Sequence, residues 1–189
     1  TLEQAGWETV TIGSVEKYLG DLAFDNGWVT PVRPLVERGL SVGIVGAGPA
    51  GLAAADRLRS AGYGVTVYDR HDRAGGLLTY GIPGFKLEKP VVQRRIDRLV
   101  EGGVAFRLGV EVGVDVTFAD LRANHDAVLI ATGVYKAKRL SVPGCGSGGV
   151  TAALDYLIAS NRKGLGDAVP AFDDGPLNAS GKRVVVIGG

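Results

Sequence analysis

The sequence predicts an α/β protein with a Rossmann-like parallel sheet and crossover helices, and three consecutive patterns support this fold class. An apolar run at residues 42–45, suited to a buried strand, leads into glycines at G-x-G-x-x-G spacing. A stretch of helical composition follows at residues 52–60. A second apolar run, at residues 65–68, ends on an aspartate. Strand, helix and strand in this order form one βαβ unit of a parallel sheet.

The glycine turn at residues 46–51 has the features of a dinucleotide-binding site. Gly46 permits a tight turn after the strand, Gly48 lets a pyrophosphate approach the backbone, and Gly51 lets the helix pack closely on the sheet. The N–H groups at the start of the helix attract phosphate. Asp69, at the tip of the second strand, can accept hydrogen bonds from both hydroxyls of an adenosine ribose. The predicted pyrophosphate contacts are Gly46, Ala47, Gly48, Pro49, Ala50 and Gly51.

Composition excludes several other classes of function. The chain has 189 residues and a formal net charge of +1, which gives no electrostatic case for binding nucleic acid or an anionic membrane. No apolar run approaches the roughly 20 residues of a membrane helix, and no secretory signal is visible. The single cysteine, Cys145, cannot form an internal disulfide and favours a reducing compartment. We therefore expect a cytoplasmic protein without nucleic-acid or membrane partners.

Four segments are predicted along the chain. Residues 1–39 form a helical segment and a linker, with Ser14 as the expected N-cap of the helix and Gly27 as its C-terminal stop. Residues 40–140 form the main nucleotide-binding domain. Within this domain the pattern predicts a helix at 89–100, a strand at 104–108, a short helix at 118–123 and a strand at 127–130.

The last two segments connect to, and begin, a further domain. Residues 141–180 carry a predicted helix at 151–161 and a surface loop at 162–180. Residues 181–189, which include KRVVVIGG, predict a strand that leads into the first glycines of a second nucleotide-binding turn. We therefore expect the chain to be an internal part of a longer polypeptide. The alternative is that this last strand completes the first sheet.

The first glycine turn suits either NAD or FAD, and three features favour FAD. Gly75 and Gly76 form a paired-glycine turn after Asp69, where a second contact with a cofactor would be useful. The segment that carries them is long and shaped by glycine and proline, as expected of a loop around a ligand larger than a nicotinamide. Residues 131–133, Ala-Thr-Gly, bring small side chains to the same sheet edge. A glycine turn without any ligand is the alternative to both cofactors.

Longer motifs in the chain resemble a known protein family. They are GAGPAGLAAADRL, VYDRHDRAGGLLTYGIPGFKLEK, VLIATG and KRVVVIGG, together with the leader TIGSVEKYLGDLAFDNGWV. In combination, from about Val10 to Gly189, they resemble the small (beta) subunits of bacterial NADPH-dependent glutamate synthases. The segment YGIPGFKLEK is far more specific than the glycine motif. Related flavoproteins, namely dihydropyrimidine dehydrogenase and NADPH–ferredoxin oxidoreductases, share the same fold module.

The resemblance implies FAD on the first glycine turn and NADPH on the second. Asp69 would bind the adenosine ribose of FAD. The other FAD contacts that it implies are Arg70 beside the ribose, Gly75, Gly76 and Leu77 along the ribityl and phosphate region, Lys86 near the flavin, Gly109 and Val110 beside the adenine, and Thr132 and Gly133 near the pyrophosphate. Gly188 and Gly189 would open the NADPH site.

The resemblance also implies two [4Fe–4S] clusters, which family members hold with N-terminal cysteines. One cubane cluster needs about four thiolates, and this chain has one cysteine. We therefore expect the clusters only in a full-length protein, with residues 1–39 as the remnant of the iron–sulfur domain. No side chain here is predicted to be catalytic or to bind a metal. His71 and His125 are expected on surface loops, and Tyr80 and Phe85 on the flavin or in the core.

The function implied by the resemblance is electron transfer. NADPH would reduce FAD, and the electrons would pass through iron–sulfur clusters to the glutamate synthase large (alpha) subunit, which makes glutamate from 2-oxoglutarate and glutamine. The chain by itself is expected to be inactive. One alternative is a related NADPH–ferredoxin oxidoreductase or a flavoprotein similar to dihydropyrimidine dehydrogenase. The other, from a different class, is a non-catalytic nucleotide-binding module.

Overall fold

The computed structural model describes residues 11–135 and 141–187, and the chain forms two compact units, Thr1–Pro31 and Val32–Gly189. In the first unit, helix α1 spans Ile12–Asp25. Several apolar side chains of this helix face solvent; for example, those of Ile12 and Tyr18 are each 65% exposed.

Helix α1 begins earlier than predicted. Its N-cap is Thr11, whose carbonyl oxygen accepts hydrogen bonds from the N–H groups of Ser14 and Val15. The prediction of Ser14 as N-cap is therefore wrong, because a threonine a few residues earlier can also occupy that position and lengthens the helix. At the other end Gly27 adopts φ = 67°, a left-handed conformation that favours glycine, and this confirms the predicted stop.

The second unit is built on a parallel sheet, which confirms the predicted fold class. Within the described residues the sheet has four strands in the spatial order β3-β2-β1-β4, all of them parallel. In the central strand, Ile44 pairs with Val67 on one side and with Leu129 on the other. In chain order the strands are β1 (Ser41–Val45), β2 (Gly64–Asp69), β3 (Ala105–Leu108) and β4 (Ala127–Ile130).

Helices lie in the connections between these strands, and further helices follow the last strand. Helix α2 begins at Pro49, ahead of the predicted start at residue 52, because proline is well suited to the first helical position. None of the helices in the described ranges has the length and apolar character needed to cross a membrane. In chain order the helices are α2 (Pro49–Ser60), α3 (Leu77–Tyr80), α4 (Lys89–Glu101), α5 (Phe118–Asn124), α6 (Ala153–Gly164) and α7 (Pro170–Asp173).

The core of this unit consists of apolar side chains from the central strands and two helices. Ile44 of β1 and Val67 of β2 are fully buried. Ala55 of α2, together with Ile96 and Leu99 of α4, belongs to the same cluster. The apolar residues of α4 recur at helical spacing, so that one face of this helix is buried. Each large side chain buried in this way contributes about 1.5 to 3 kcal/mol to folding.

The connecting segment is more ordered than predicted. Helix α6 continues to Gly164 and α7 follows it, so the predicted surface loop at residues 162–180 is wrong in part. Asn161 is 5% exposed and donates a hydrogen bond from Nδ2 to the carbonyl oxygen of Tyr80 at 3.0 Å. This buried contact holds α6 against α3, and local sequence periodicity carries no signal for it.

The predicted last strand does not form within the described residues. Residues 182–187 are not assigned to a strand, and the apolar side chains at positions 184–187 are exposed. A strand exists only through hydrogen bonds to a neighbour, and no strand in the described part of the chain pairs with this segment. The segment is therefore not part of the first sheet, which contradicts the alternative that it completes this sheet, and its place at the start of a second domain stays a prediction. Gly188 and Gly189 lie outside the described residues.

We expect Gly51→Ala to destabilise the unit by about 3 kcal/mol. A Cβ at this position would lie 1.8 Å from the carbonyl oxygen of Gly46, so the backbone of the turn would have to move. Gly164→Ala is the matched control, because its Cβ would meet no described atom within 4 Å and alanine favours a helix by up to about 1 kcal/mol. Urea unfolding of the cofactor-free protein measures both changes. Equal stability of the two variants would contradict the close approach of Gly51 to the carbonyl oxygen of Gly46.

Candidate functional site

The glycine turn lies at the carboxyl end of β1, between β2 and β4. Gly46 adopts φ = 112° and donates its N–H to the carbonyl oxygen of Tyr68 at 2.7 Å. A Cβ on Gly46 would stand 2.4 Å from the carbonyl oxygen of Ala131, which directly follows β4. The turn is therefore fixed where the strand order reverses, because the chain runs from β1 to β2 and β3 on one side and then crosses to β4 on the other side of β1. In open α/β sheets, ligands bind at this switch point.

Gly48 differs from the neighbouring glycines, because the fold itself leaves space for a side chain there. Its φ of −78° is accessible to any residue. A Cβ would have the Cα of Gly76, 4.0 Å away, as its nearest neighbour among the described residues. Gly48 is also the N-cap of α2, whose first N–H groups have no acceptor within the helix. The open space thus lies at a helix N-terminus that is suited to an anion.

The paired glycines of the segment after β2 lie against this turn. Gly75 donates its N–H to the carbonyl oxygen of Ala47 at 2.8 Å. Gly76 adopts φ = 53°, and a Cβ there would stand 2.7 Å from the Cα of Gly48. The structure therefore brings together the two glycine turns that the sequence predicts to face one cofactor. Leu77, the first residue of α3, is 37% exposed.

The carboxylate of Asp69 connects the tip of β2 to the glycine turn. Its Oδ2 accepts the N–H of Ala47 at 2.7 Å, and its Oδ1 accepts both the N–H and the Nδ1 of His71, each at 2.8 Å. The side chain of Asp69 is 10% exposed and that of His71 20% exposed. The expectation of His71 on a surface loop is wrong, because the loop turns back on Asp69. A recognisable signal exists, since aspartate often accepts the N–H of the second residue after it.

Two aromatic rings lie against the imidazole of His71. The ring centroid of Tyr80 is 5.1 Å away, and that of Tyr135 is 5.8 Å away. Tyr80 is 1% exposed and belongs to the interior, as one of the two expectations for it had it. Phe85 is 86% exposed, so it does not lie in the core. Tyr135 also contacts Arg70, whose guanidinium lies 4.8 Å from the ring centroid, within the range of a cation–π contact.

The remaining predicted contacts divide into those near Asp69 and those away from it. Val110 donates its N–H to the carbonyl oxygen of Asp69, and Gly109 donates to that of His71, each at 2.9 Å. Thr132 and Gly133 follow β4 and are exposed, with Gly133 at φ = 70°.

Lys86, predicted near the flavin, is exposed. The ordered ammonium group in this segment belongs instead to Lys89, which donates to the carbonyl oxygens of Leu78 and Ile82. Partial burial lowers the pKa of Lys89 below its ordinary value. Sequence reasoning missed Lys89, although a lysine close after a short helix is a common partner for the carbonyl groups at its end.

A charged cluster fixes the segment after β2 to the connecting segment. Arg73 binds both carboxylate oxygens of Asp167, with Nη1 at 2.9 Å and Nη2 at 2.7 Å. This hydrogen bond from Arg73 is the main reason why the pKa of Asp167 lies below its usual value. The hydroxyl of Tyr80 donates to Asp72 and lowers the pKa of that carboxyl, with Arg73 and Arg162 adding to the effect. Burial raises the pKa of Tyr80 to about 12.

His125, the second histidine, is half-buried rather than exposed on a loop, so that expectation is also wrong. Its Nε2 lies 3.0 Å from the hydroxyl of Tyr68, and its ring packs where a Cβ on Gly43 would stand. Its Nδ1 is buried and has no hydrogen-bond partner within the described ranges. His125 therefore contributes to packing on the sheet and has no contact with Asp69.

Comparisons with known proteins agree with this geometry. The sequence pattern of the family described as pyridine nucleotide-disulphide oxidoreductase matches residues 40–189. Over 188 residues, the whole of this chain, identity is 65% to the putative glutamate synthase [NADPH] small chain of Cereibacter sphaeroides, of which the chain covers 45%. Identity is 60% over 188 residues to the glutamate synthase [NADPH] small chain of Azospirillum brasilense, of which it covers 39%. The chain thus spans less than half the length of these relatives.

Among solved structures, the chain is similar to FprA of Mycobacterium tuberculosis in complex with NADPH. The TM-score is 0.61 at 26% sequence identity, and the match covers 66% of this chain and 29% of that one. Together these findings confirm the resemblance to glutamate synthase small chains and the Rossmann-like fold class.

We expect the charged cluster to make stability depend on acid pH. The pKa values of Asp72 and Asp167 are lower in the folded than in the unfolded chain, so their contribution is present above about pH 4 and is lost as pH falls through the lowered values. Asp167→Asn should therefore reduce stability at pH 7 and flatten its decline below pH 4. Urea midpoints between pH 7 and pH 2.5 measure this. The exposed Asp174→Asn is the control, and identical acid profiles for Asp167→Asn and the parent would contradict the assignment.

Proposed function

The chain belongs to the pyridine nucleotide-disulphide oxidoreductase family, and on this premise we propose that it is the FAD-binding part of a flavin-dependent, NADPH-oxidising protein. The observation that carries the proposal is the open space at Gly48, which lies at the helix N-terminus and beside the carboxylate of Asp69. An anionic diphosphate suits the first feature, and a ribose hydroxyl suits the second.

The residues present fit FAD. Gly46 and Gly51 have no room for a side chain because of contacts within the fold, whereas Gly48 has room that the fold does not use. Space of this kind beside unsatisfied N–H groups is expected where a ligand completes the site. Gly75 and Gly76 add a second stretch of backbone beside this turn, which favours a ligand longer than one nucleotide.

Each part of the chain would have a separate task in holding the cofactor. The turn at Gly46–Gly51 would bind the pyrophosphate, Asp69 the adenosine ribose, and Gly75–Leu77 the ribityl chain. Arg70, Gly109 and Val110 would border the adenine, and Thr132 and Gly133 would lie near the pyrophosphate. Bound FAD supplies the chemistry of accepting a hydride and releasing single electrons. The contribution of these residues is binding and orientation, and no side chain of this chain is assigned an acid–base step.

We further infer that the whole protein is a small subunit of NADPH-dependent glutamate synthase. The names and high identities of the relatives from Cereibacter sphaeroides and Azospirillum brasilense support this. NADPH would bind at a second turn opened by Gly188 and Gly189, and the electrons would pass through [4Fe–4S] clusters to the large (alpha) subunit in the cytoplasm. Four thiolates per cluster are needed, so the ligands would belong to parts of the polypeptide other than this chain, whose single cysteine is Cys145.

An NADPH–ferredoxin oxidoreductase or a flavoprotein similar to dihydropyrimidine dehydrogenase is the alternative. The fold similarity to FprA, which was solved with NADPH, supports the choice of reductant in either case. The electron acceptor separates the two proposals, and the higher identity to glutamate synthase small chains favours the large subunit as acceptor.

We expect the natural full-length polypeptide to be purified with bound FAD and iron–sulfur clusters. Its absorbance should show flavin bands and a broad brown shoulder, and NADPH added without oxygen should bleach both. Reoxidation by the large subunit with 2-oxoglutarate and glutamine, rather than by ferredoxin, would support the glutamate synthase assignment. A colourless protein would overturn the flavoprotein proposal. A protein that binds nucleotide without reduction would be the non-catalytic module.

We expect Gly48→Val to weaken FAD binding strongly without unfolding the protein. The backbone at Gly48 accepts a Cβ, so the cofactor-free protein should stay folded and lose only about 1 kcal/mol of stability, because valine is a poorer N-cap than glycine. The branched side chain would fill the space of the pyrophosphate, and FAD affinity should fall by roughly a hundredfold or more, which is about 2.7 kcal/mol. Flavin fluorescence titration of the full-length apoprotein measures the affinity.

Gly146→Val is the matched control for this experiment. Gly146 has ordinary backbone geometry, and a Cβ there would meet no described atom within 4 Å, yet it lies outside the candidate site. Its FAD affinity should equal that of the parent. If Gly48→Val also binds FAD normally, the pyrophosphate does not lie on this turn.

A further inference from the structure

The sequence motif accounts for Asp69 but not for the histidine that binds it. His71 makes two hydrogen bonds to the same carboxylate oxygen, one from its backbone N–H and one from Nδ1, both at 2.8 Å to Oδ1. The other oxygen, Oδ2, accepts the N–H of Ala47 at 2.7 Å. Three donors from two different segments therefore hold one carboxylate.

The distribution of these bonds leaves the two oxygens unequal. Each carboxylate oxygen has about two acceptor positions. Both positions of Oδ1 are used by His71, whereas Oδ2 keeps one after its bond to Ala47. The remaining acceptor therefore belongs to the oxygen that already contacts the glycine turn. A carboxylate only accepts hydrogen bonds, so Nδ1 of His71 carries the hydrogen in this arrangement.

His71 is itself held by contacts that do not involve Asp69. Its carbonyl oxygen accepts the N–H of Gly109 at 2.9 Å. Its ring lies against those of Tyr80 and Tyr135, at 5.1 Å and 5.8 Å between centroids. Tyr80 is 1% exposed, and its hydroxyl donates to Asp72, so this ring has a fixed position. The imidazole is thus oriented by its surroundings and can in turn orient the carboxylate.

We propose that His71 is a positioning residue for the adenosine half of the cofactor site. It saturates Oδ1 of Asp69 and so turns Oδ2, next to the glycine turn, toward the ribose. The inference rests on the proposed FAD site and adds to it which carboxylate oxygen meets the sugar and what holds that oxygen in place. Without the Nδ1 bond only two backbone N–H groups hold the carboxylate, one on each oxygen, and Oδ1 regains a free acceptor position. The acceptor that meets the ribose is then no longer restricted to Oδ2.

Three substitutions in the full-length polypeptide separate positioning from packing. His71→Asn keeps a donor, because its side-chain amide can stand where Nδ1 does. His71→Leu has a similar size to the asparagine variant but no donor. His71→Phe keeps a ring against the two tyrosines and loses the donor. We expect FAD affinity near the parent value for asparagine, and about tenfold weaker binding for leucine and phenylalanine, as for the loss of one hydrogen bond to a charged group.

A double substitution tests whether the effect passes through Asp69. In the Asp69→Ala background, His71→Phe should cause no further loss of FAD affinity, because no carboxylate is left to orient. His125→Phe is the matched control, since His125 binds the hydroxyl of Tyr68 instead of Asp69. Its FAD affinity should equal that of the parent. Unfolding midpoints of all apoproteins show whether a variant has lost its fold. The FAD affinities of His71→Asn and His71→Leu are compared under conditions in which both apoproteins are folded.

Two results would overturn the inference. One is equal FAD affinity for the asparagine and leucine variants, which would show that the donor has no role. The other is an equal loss from His71→Phe with and without Asp69, which would place its effect elsewhere. If either result is found and the parent protein binds FAD, this inference fails and the proposed function stands. A parent that binds no FAD overturns the proposed function and this inference together.

Discussion

The contact between the glycine turn and the end of β2 is the constraint on which the second unit depends. Gly46 donates to the carbonyl oxygen of Tyr68, and Ala47 donates to the carboxylate of Asp69, both at 2.7 Å. These bonds join neighbouring parallel strands where the chain leaves the sheet for α2. The helix N-terminus at Gly48 and the carboxylate of Asp69 are therefore held in one arrangement by the protein itself. Preorganisation of this kind reduces the ordering that ligand binding would otherwise require.

Most of the sheet could be predicted because its signals are local. The apolar run of β4 gives its bounds, Ala127–Ile130, without error, and the face of α4 that carries Ile96 is the one that is buried. The errors fall where the outcome depends on something outside the local pattern. Ser14 competed with Thr11 for the same cap position, and the loop predicted at residues 162–180 contains the end of α6 and the whole of α7. Neither outcome can be decided from apolar periodicity alone.

The candidate site divides in the same way. Its glycines and Asp69 follow from a motif in which each residue has a mechanical reason for its spacing. The backbone bond of His71 to Asp69 has a local signal, but the position of its imidazole does not, and Arg73 pairs with Asp167, which is distant in sequence. The resemblance implies Lys86 near the flavin, which stays a prediction, whereas the hydrogen bonds of Lys89 to Leu78 and Ile82 have no counterpart in the motif. Sequence thus predicts the part of the site made by backbone better than the part made by side chains.

The exposed run at residues 184–187 has a consequence for handling this chain. It reads Val-Val-Val-Ile, and its side chains are 63–84% exposed. In the described sheet β4 is an edge strand, with one side of its backbone unpaired. An apolar β-branched segment and an open strand edge in one molecule favour intermolecular strand pairing. In preparations of residues 1–189 alone we therefore expect aggregation to limit the usable concentration.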